Sequence, residues 1–180
     1  SLDIPFCVAG GIRSVEDARA ILAAGADKIS INTPALARPE LIEEMAEAFG
    51  SQCVVVGIDA TPPVVYSHTG DVRTMRAAQL DVFSWVTEVV RRGAGEIVMN
   101  CMHRDGTGEG FDGKFLAQVR AVCPIPLVAS GGAGTAQHFA QVFRDADVDA
   151  ALAAGALHRG ELTIPEIKVA VSEEGFEVRR

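Results

Sequence analysis

The feature that most constrains the fold of this 180-residue chain is an internal repeat. Residues 4–35, IPFCVAGGIRSVEDARAILAAGADKISINTPA, correspond to residues 125–156, IPLVASGGAGTAQHFAQVFRDADVDAALAAGA. Each copy begins with Ile-Pro and continues through a short apolar run, two glycines, an amphipathic stretch and a second apolar run. A turn of small residues then opens another helix. This order predicts two consecutive strand-helix units in each copy.

The paired glycines of each copy follow the carboxyl end of a predicted buried strand. Gly10-Gly11 and Gly131-Gly132 lack a Cβ, so backbone N–H groups can approach a ligand closely there. The second strand of each copy ends at Asn32-Thr33 or Ala154-Gly155, directly before a helix whose first N–H groups lack intrahelical partners. Each copy therefore predicts one phosphate cradle, and the duplication predicts a ligand with a phosphate at both ends.

The rest of the chain continues the alternation of strands and helices. Residues 54–58 form an apolar strand that is expected to stop at Asp59, and the polar excursion 61–78 that follows has the length of a functional loop, with a short hairpin as one form. The other predicted segments are helices over 39–49, 80–92, 115–122 and 164–171, a strand over 97–100 and a polar loop over 103–108.

Strands that alternate strictly with helices predict a parallel sheet buried on both faces. The six strand-helix units would also fit a doubly wound sheet. The repeat favours a (βα)8 barrel, because its copies begin four strands apart, which is halfway round an eight-stranded barrel. The prediction is an α/β fold of the TIM-barrel family, with six of the eight βα units present in one domain over residues 1–180.

Composition limits the partners and the compartment. The net charge of −8 and the lack of any block of lysine and arginine argue against a nucleic-acid or membrane surface, so backbone amides are expected to hold most of the phosphate. The chain has no secretory leader and no apolar run of membrane-spanning length, which predicts a cytoplasmic protein.

Metal and cofactor sites are not expected. The four cysteines, at 7, 53, 101 and 123, have no ligand spacing and are interpreted as small core residues, and the four histidines are scattered. The GGAGTA run departs from the dinucleotide-binding fingerprint, and no acidic residue ends the strand that follows it.

Several motifs resemble the cyclase subunit of imidazole glycerol phosphate synthase, from histidine biosynthesis. They are VAGGIRS, GADKISINT, VVVGIDA, GAGEIVMNCMHRDGTGEGFD, LVASGGAG and DAALAAG, and they cover essentially the whole chain in the order of that family. The resemblance implies a barrel lyase, or cyclase, in which ammonia from a glutaminase partner attacks a bisphosphorylated aminoimidazole carboxamide ribonucleotide. The substrate then splits and closes to imidazole glycerol phosphate and aminoimidazole carboxamide ribonucleotide.

The resemblance also implies roles for individual residues. Asp59 matches one of two catalytic aspartates of the family. Lys28 and Glu96 match charged residues around an ammonia entrance on the opposite face, where the glutaminase docks. One phosphate would be bound by Gly11, Asn32 and Thr33, and the other by Gly106, Gly132, Ala154 and Gly155.

Most of these side chains also fit structural roles. Asp59 could cap a helix, and Lys28 and Glu96 could form an ion pair of little energetic value. Asp105 is expected to shape an Asp-Gly turn while touching substrate. Asn100 is either polar lining of the site or a satisfied core amide, and Ser130 either positions substrate or only forms a turn.

Aligned to the family, the chain begins just before the third strand. The first two βα units are therefore expected to be absent, together with the second catalytic aspartate, a nearby lysine and half of the entrance ring. Lesser departures are His103, where the family often has Asp or Asn, and Ala78-Gln79, where it usually has Thr-Gly. The alternatives are the sister isomerase of the same pathway, which needs no ammonia partner, and a catalytically inert barrel fragment.

Overall fold

A computed structural model describes residues 3–179 of the chain. Its strands are β1 Cys7–Ala9, β2 Lys28–Ile31, β3 Val54–Thr61, β4 Val64–Ser67, β5 Arg76–Asp81, β6 Glu96–Cys101, β7 Leu127–Ser130 and β8 Ala150–Leu152. Six of them form a curled parallel sheet in the order β1-β2-β3-β6-β7-β8, and β4 and β5 add an antiparallel hairpin to β3. This (βα)8-barrel-like arrangement confirms the predicted fold class.

The helices follow the strands as the alternation predicts. They are α1 Val15–Ala23, α2 Thr33–Ala37, α3 Glu40–Phe49, α4 Val82–Arg91, α5 Gly113–Arg120, α6 Ala136–Ala146, α7 Gly155–His158 and α8 Ile164–Glu173. The helix predicted over 80–92 begins two residues later, because the Asp81 carboxylate accepts a hydrogen bond from the Ser84 N–H and caps α4. Leu80 belongs to β5 instead. None of the helices in the described range is long and apolar enough to cross a membrane.

The repeat builds the two ends of the sheet. Its first copy supplies β1 and β2, its second copy supplies β7 and β8, and β3 and β6 lie between them. Counted along the sheet, β7 is therefore four strands away from β1, which is the separation that the repeat predicted. Within residues 3–179, β1 and β8 do not pair with each other, so each leaves one edge of the sheet open.

The core lies on both faces of the central strands. In β3 the side chains of Val54, Val55, Val56 and Ile58 are fully buried, which is the pattern of a parallel strand covered by helices. A smaller cluster joins Phe139 of α6 to Val171 of α8. The helix face that carries Trp85 packs into the main core.

Strand β3 is longer than predicted. It was expected to stop at Asp59, but it continues through Asp59 to Thr61, because Asp59, Ala60 and Thr61 pair with β4 of the hairpin. The excursion 61–78 therefore includes the hairpin that was one of its predicted forms. Asp59 lies inside a paired strand, which restricts its backbone more than a loop would.

The cysteine interpretation is confirmed in part. Cys101 and Cys123 are buried, whereas Cys53 is half-buried and Cys7 is exposed. The interpretation is wrong for Cys7 because β1 is an edge strand in the described range, so no further strand covers its outer side.

Candidate active site

Two cavities open near the carboxyl ends of the parallel strands. The first, termed the Gly11 cavity, has a volume of about 580 Å³ and is lined by residues 9–13, 30–34, Gly57, Asp59 and 68–70. The second, termed the Gly132 cavity, has a volume of about 190 Å³ and is lined by Asn100, Asp105, Gly106, Gly108, residues 130–133, 152–156 and Arg159. Each cavity contains the Gly-Gly turn of one repeat copy.

The predicted catalytic and substrate-binding residues all lie at these two cavities. The Gly11 cavity contains Gly11, Asn32, Thr33 and Asp59. The Gly132 cavity contains Asn100, Asp105, Gly106, Ser130, Gly132, Ala154 and Gly155. The fold thus brings the residues of each predicted cradle together, although they come from loops far apart in the sequence.

Asp59 is linked to the linings of both cavities. It lies opposite Asn100 in the register of the adjacent strands β3 and β6, and Asn100 Nδ2 donates to Asp59 Oδ1 at 2.7 Å. Asp59 lines the Gly11 cavity and Asn100 lines the Gly132 cavity. Asp59 caps no helix among residues 3–179, because all its recorded donors are side chains.

The two oxygens of the Asp59 carboxylate differ in their hydrogen bonds. Oδ2 accepts from Asn32 Nδ2 at 2.7 Å and from the Thr69 hydroxyl at 2.5 Å, whereas Oδ1 accepts from Asn100 alone. A carboxylate offers about four acceptor sites. Oδ1 therefore keeps a site that is open to a ligand, while Oδ2 is occupied on both sides.

Asn100 combines the two roles that the sequence left open, and Asp105 has the expected turn role. The Asn100 amide is satisfied by Asp59 and also lines the Gly132 cavity. Asp105 forms a turn, since its N–H donates to the Cys101 carbonyl at 3.1 Å, and it lines the same cavity. Ser130 is 9% exposed at that cavity.

The Gly132 turn is packed tightly, while the equivalent Gly11 turn is open. A Cβ on Gly132 would lie 2.2 Å from the Gly110 carbonyl oxygen, and the Gly110 N–H donates to the Gly132 carbonyl at 2.8 Å. A Cβ on Gly11 would meet no atom within 4 Å. Both glycines have positive φ, +107° and +76° respectively. The second copy therefore needs glycine for space as well as for backbone conformation.

Lys28 and Glu96 lie at the other end of the sheet. They are the first residues of β2 and β6, and Lys28 Nζ lies 2.5 Å from Glu96 Oε2. The side chains are 39% and 19% exposed, so the pair is partly screened by solvent. An ion pair is the structural role that the sequence analysis gave as the alternative for these two residues. The pair lies at the amino ends of the strands, away from both cavities.

Four residues at the cavities were not singled out from the sequence. Arg13 lines the Gly11 cavity and Arg159 lines the Gly132 cavity, so each cavity has one guanidinium among its lining residues. His68 and Thr69, from the hairpin, also line the Gly11 cavity. The position of Arg13 two residues after Gly11 was the available signal for it. Arg159 follows a short helix, and its guanidinium is held by Glu161 at 2.6 Å and 2.8 Å.

The remaining titratable groups near the site include a buried thiol and a histidine that is paired with a carboxylate. Burial raises the pKa of the Cys101 thiol to about 12, so it stays protonated near neutral pH and is a poor nucleophile. His103 Nε2 lies 2.9 Å from Asp112 Oδ2, which ties the loop after β6 to the residue that caps α5. Across residues 3–179 the structure contains no group of three or more His, Cys, Asp or Glu side chains suited to a metal ion.

Comparison with known proteins assigns the family. The family model described as histidine biosynthesis protein matches residues 1–163. The imidazole glycerol phosphate synthase subunit HisF of Xanthomonas campestris pv. campestris (strain B100) is 57% identical over 183 residues, which cover 99% of this chain and 71% of that protein. The chain belongs to the HisF family. The HisF subunit of Enterobacter sp. (strain 638) is 55% identical over 184 residues, with the same coverage.

Membership of the HisF family confirms the resemblance drawn from the motifs. The relatives carry the synthase name, so the chain is a subunit of a biosynthetic enzyme in histidine formation rather than the sister isomerase. The matched range 1–163 contains every residue of both cavities, and α8 lies beyond it.

Proposed function

We propose that this chain catalyses the cyclase reaction of imidazole glycerol phosphate synthase, with Asp59 as a proton-transferring group. Ammonia would attack the bisphosphorylated aminoimidazole carboxamide ribonucleotide, which splits and closes to imidazole glycerol phosphate and aminoimidazole carboxamide ribonucleotide. The single observation that carries this proposal is the hydrogen bond from Asn100, which lines one cavity, to Asp59, which lines the other, where each cavity contains a Gly-Gly turn.

The substrate would lie across both cavities. One phosphate would bind at Gly11, Asn32 and Thr33, and the other at Gly106, Gly132, Ala154 and Gly155. Arg13 lines the Gly11 cavity, and its positive charge favours binding of a phosphate dianion there, whereas the charge of Arg159 at the Gly132 cavity is already paired with Glu161. The part of the substrate in which bonds break and form would then lie beside Asp59, Asn100, Asp105 and Ser130.

Asp59 Oδ1 is the oxygen suited to proton transfer, because Oδ2 already accepts two hydrogen bonds. Ring closure with release of aminoimidazole carboxamide ribonucleotide requires protons to be removed and returned, and a positioned carboxylate typically accelerates such steps by about 10²- to 10⁴-fold. On the family resemblance, a second carboxylate would come from two βα units that precede β1. The open edges of β1 and β8 in the described range leave room for additional strands.

A glutaminase partner would supply the ammonia. In this proposal the ammonia enters beside the Lys28–Glu96 pair, at the amino ends of the strands, and travels to the cavities at their carboxyl ends. A biosynthetic enzyme that uses soluble phosphorylated metabolites would work in the cytoplasm. In this proposal residues 1–180 form one domain.

Lys28→Met provides a test of the entrance. We expect activity with glutamine and the glutaminase to fall roughly fivefold or more, since a coupling between sites is typically of that size, while activity with ammonium salt stays nearly constant. The partly exposed ion pair itself contributes only about 0–1 kcal/mol to stability. Lys168→Met, on α8, serves as the control. Equal loss with both nitrogen sources would contradict an entrance at Lys28.

Turnover by the purified chain tests the proposed function. The bisphosphate substrate and ammonium salt are supplied, and both products are measured by chromatography. In a second arm, a fragment of the Xanthomonas HisF subunit is added to the reaction. This fragment is the part of that subunit that does not align with this chain. Product in either arm supports the proposal. The absence of product in both arms would instead support the inert barrel fragment, for which the open sheet edges also argue.

A further inference from the structure

The tip of the hairpin between β4 and β5 contacts two of the proposed functional side chains. The His68 N–H donates to Thr33 Oγ1 at 2.8 Å, and the Thr69 hydroxyl donates to Asp59 Oδ2 at 2.5 Å. Neither bond belongs to the hairpin ladder, since β4 ends at Ser67 and β5 begins at Arg76. These residues, His68 and Thr69, are termed the hairpin tip.

The segment beyond the hairpin tip is organised by bonds of its own. The Thr74 hydroxyl donates to the carbonyl oxygens of His68 and Asp71, and the Arg73 guanidinium pairs with the Asp71 carboxylate at 2.7 Å. His68 has a φ of +55°, in the left-handed region that residues other than glycine adopt uncommonly. A compact loop of this kind presents His68 and Thr69 to the cavity as a defined pair.

The bond to Thr33 determines what its hydroxyl can do. A threonine hydroxyl has one hydrogen to donate and accepts through its lone pairs. Because Thr33 Oγ1 accepts from the His68 N–H, its own hydrogen remains free to donate to a phosphate oxygen in the Gly11 cavity. The hairpin tip thus orients a proposed phosphate ligand without occupying its donor.

The bond from Thr69 has the matching effect on Asp59. Together with Asn32 it occupies Oδ2, and this fixes the plane of the carboxylate so that Oδ1, beside Asn100, has the free acceptor site. Without Thr69, one side of Oδ2 would be open and the carboxylate could rotate towards solvent. Strands β3 and β6 hold the Asn100 side of the carboxylate, and Asn32 and Thr69 together hold the other side.

We propose that Thr69 is a positioning residue for the Asp59 carboxylate, and that the hairpin tip couples this carboxylate to the phosphate ligand Thr33. This inference rests on the proposed function of Asp59. It adds that the rate of the chemical step depends on a hydroxyl of the hairpin, and that loosening the tip affects both contacts together.

Thr69→Val tests the positioning role, because valine keeps the shape of threonine and lacks its hydroxyl. The loss of one hydrogen bond to a charged group is expected to lower kcat roughly tenfold to hundredfold, with a smaller change in KM. Thr69→Ser should stay within about twofold of the wild type, since serine can donate the same bond. Thr87→Val is the control, as the Thr87 hydroxyl bonds only to the Phe83 carbonyl of its own helix.

Hydrogen exchange of the His68 amide gives a second readout that does not require turnover. Thr69→Val should speed this exchange, because the substitution loosens the hairpin tip that presents the His68 amide to Thr33. Thr69→Ser should leave the exchange rate unchanged. Thr33→Val should also speed it, by removing the acceptor. A Thr69→Val variant with unchanged kcat or with unchanged His68 exchange would overturn the proposal. An inactive wild type would overturn the proposed function. In that case the His68 exchange rates of the variants would still test whether the hairpin tip couples Thr69 to Thr33.

Discussion

Asp59→Asn is expected to reduce kcat with ammonium salt by about 10²- to 10⁴-fold, the usual contribution of a general acid–base group. Asparagine keeps the shape of aspartate, and it can still accept from Asn32 and Thr69 through its carbonyl oxygen. It places an amide at the Oδ1 position, which cannot take up a proton. Saturating ammonium salt removes the glutaminase step from the measurement, so the loss reports on the chemistry at this site.

Asp81→Asn is the matched control for this substitution. Asp81 also belongs to a strand, as the last residue of β5, but it caps α4 through the Ser84 N–H, and asparagine caps a helix about as well as aspartate. We expect wild-type kcat for this variant. Unfolding curves of both variants show whether a loss of activity comes from loss of structure. An Asp59→Asn variant that is folded and retains more than about a tenth of the wild-type kcat would contradict a role in proton transfer.

Gly132→Ala is expected to destabilise the chain far more than Gly11→Ala, although the two glycines hold equivalent positions in the repeat. At both sites alanine must adopt a positive φ, which costs about 1–2 kcal/mol. At Gly132 the new Cβ would also lie 2.2 Å from the Gly110 carbonyl oxygen, and such overpacking adds about 1–3 kcal/mol. We therefore expect a loss of about 2–5 kcal/mol for Gly132→Ala, against about 1–2 kcal/mol for Gly11→Ala.

Thermal unfolding measures this difference. For a chain of this size 1 kcal/mol corresponds to a change in Tm of about 2–4 °C, so the two variants should be clearly separated. Displacement of the Gly110–Gly132 contact should also weaken the binding of inorganic phosphate at the Gly132 cavity. Equal losses of stability in the two variants would show that the close contact between Gly110 and Gly132 is absent in solution.

The parts of the fold that were predicted are those that local patterns determine. The Gly-Gly turns, the apolar runs and the small-residue turns recur in the repeat, and they placed β1, β2, β7 and β8 as well as the glycines of both cavities. The position of Asn32 and Thr33 at the end of β2 follows from the same reasoning. The equivalence of Gly11 and Gly132 in the sequence, however, gave no sign that only Gly132 would be packed against another loop.

The parts that were not predicted depend on contacts between segments far apart in the sequence. Thr69 lies ten residues after Asp59, and only the return of the hairpin brings its hydroxyl to Oδ2. The same pairing with β4 extends β3 beyond Asp59, where the apolar run had ended. Arg159 reaches its cavity from the end of a four-residue helix, a placement that the charge count of the chain does not indicate.

A crystal structure of the chain with a bound bisphosphorylated substrate analogue tests the central claim most directly. The account predicts one phosphate at Gly11 and Thr33, the other at Gly132 and Gly155, and the connecting part of the molecule beside Asp59 Oδ1. An analogue with both phosphates in one cavity, or with its connecting part distant from Asp59, would contradict it.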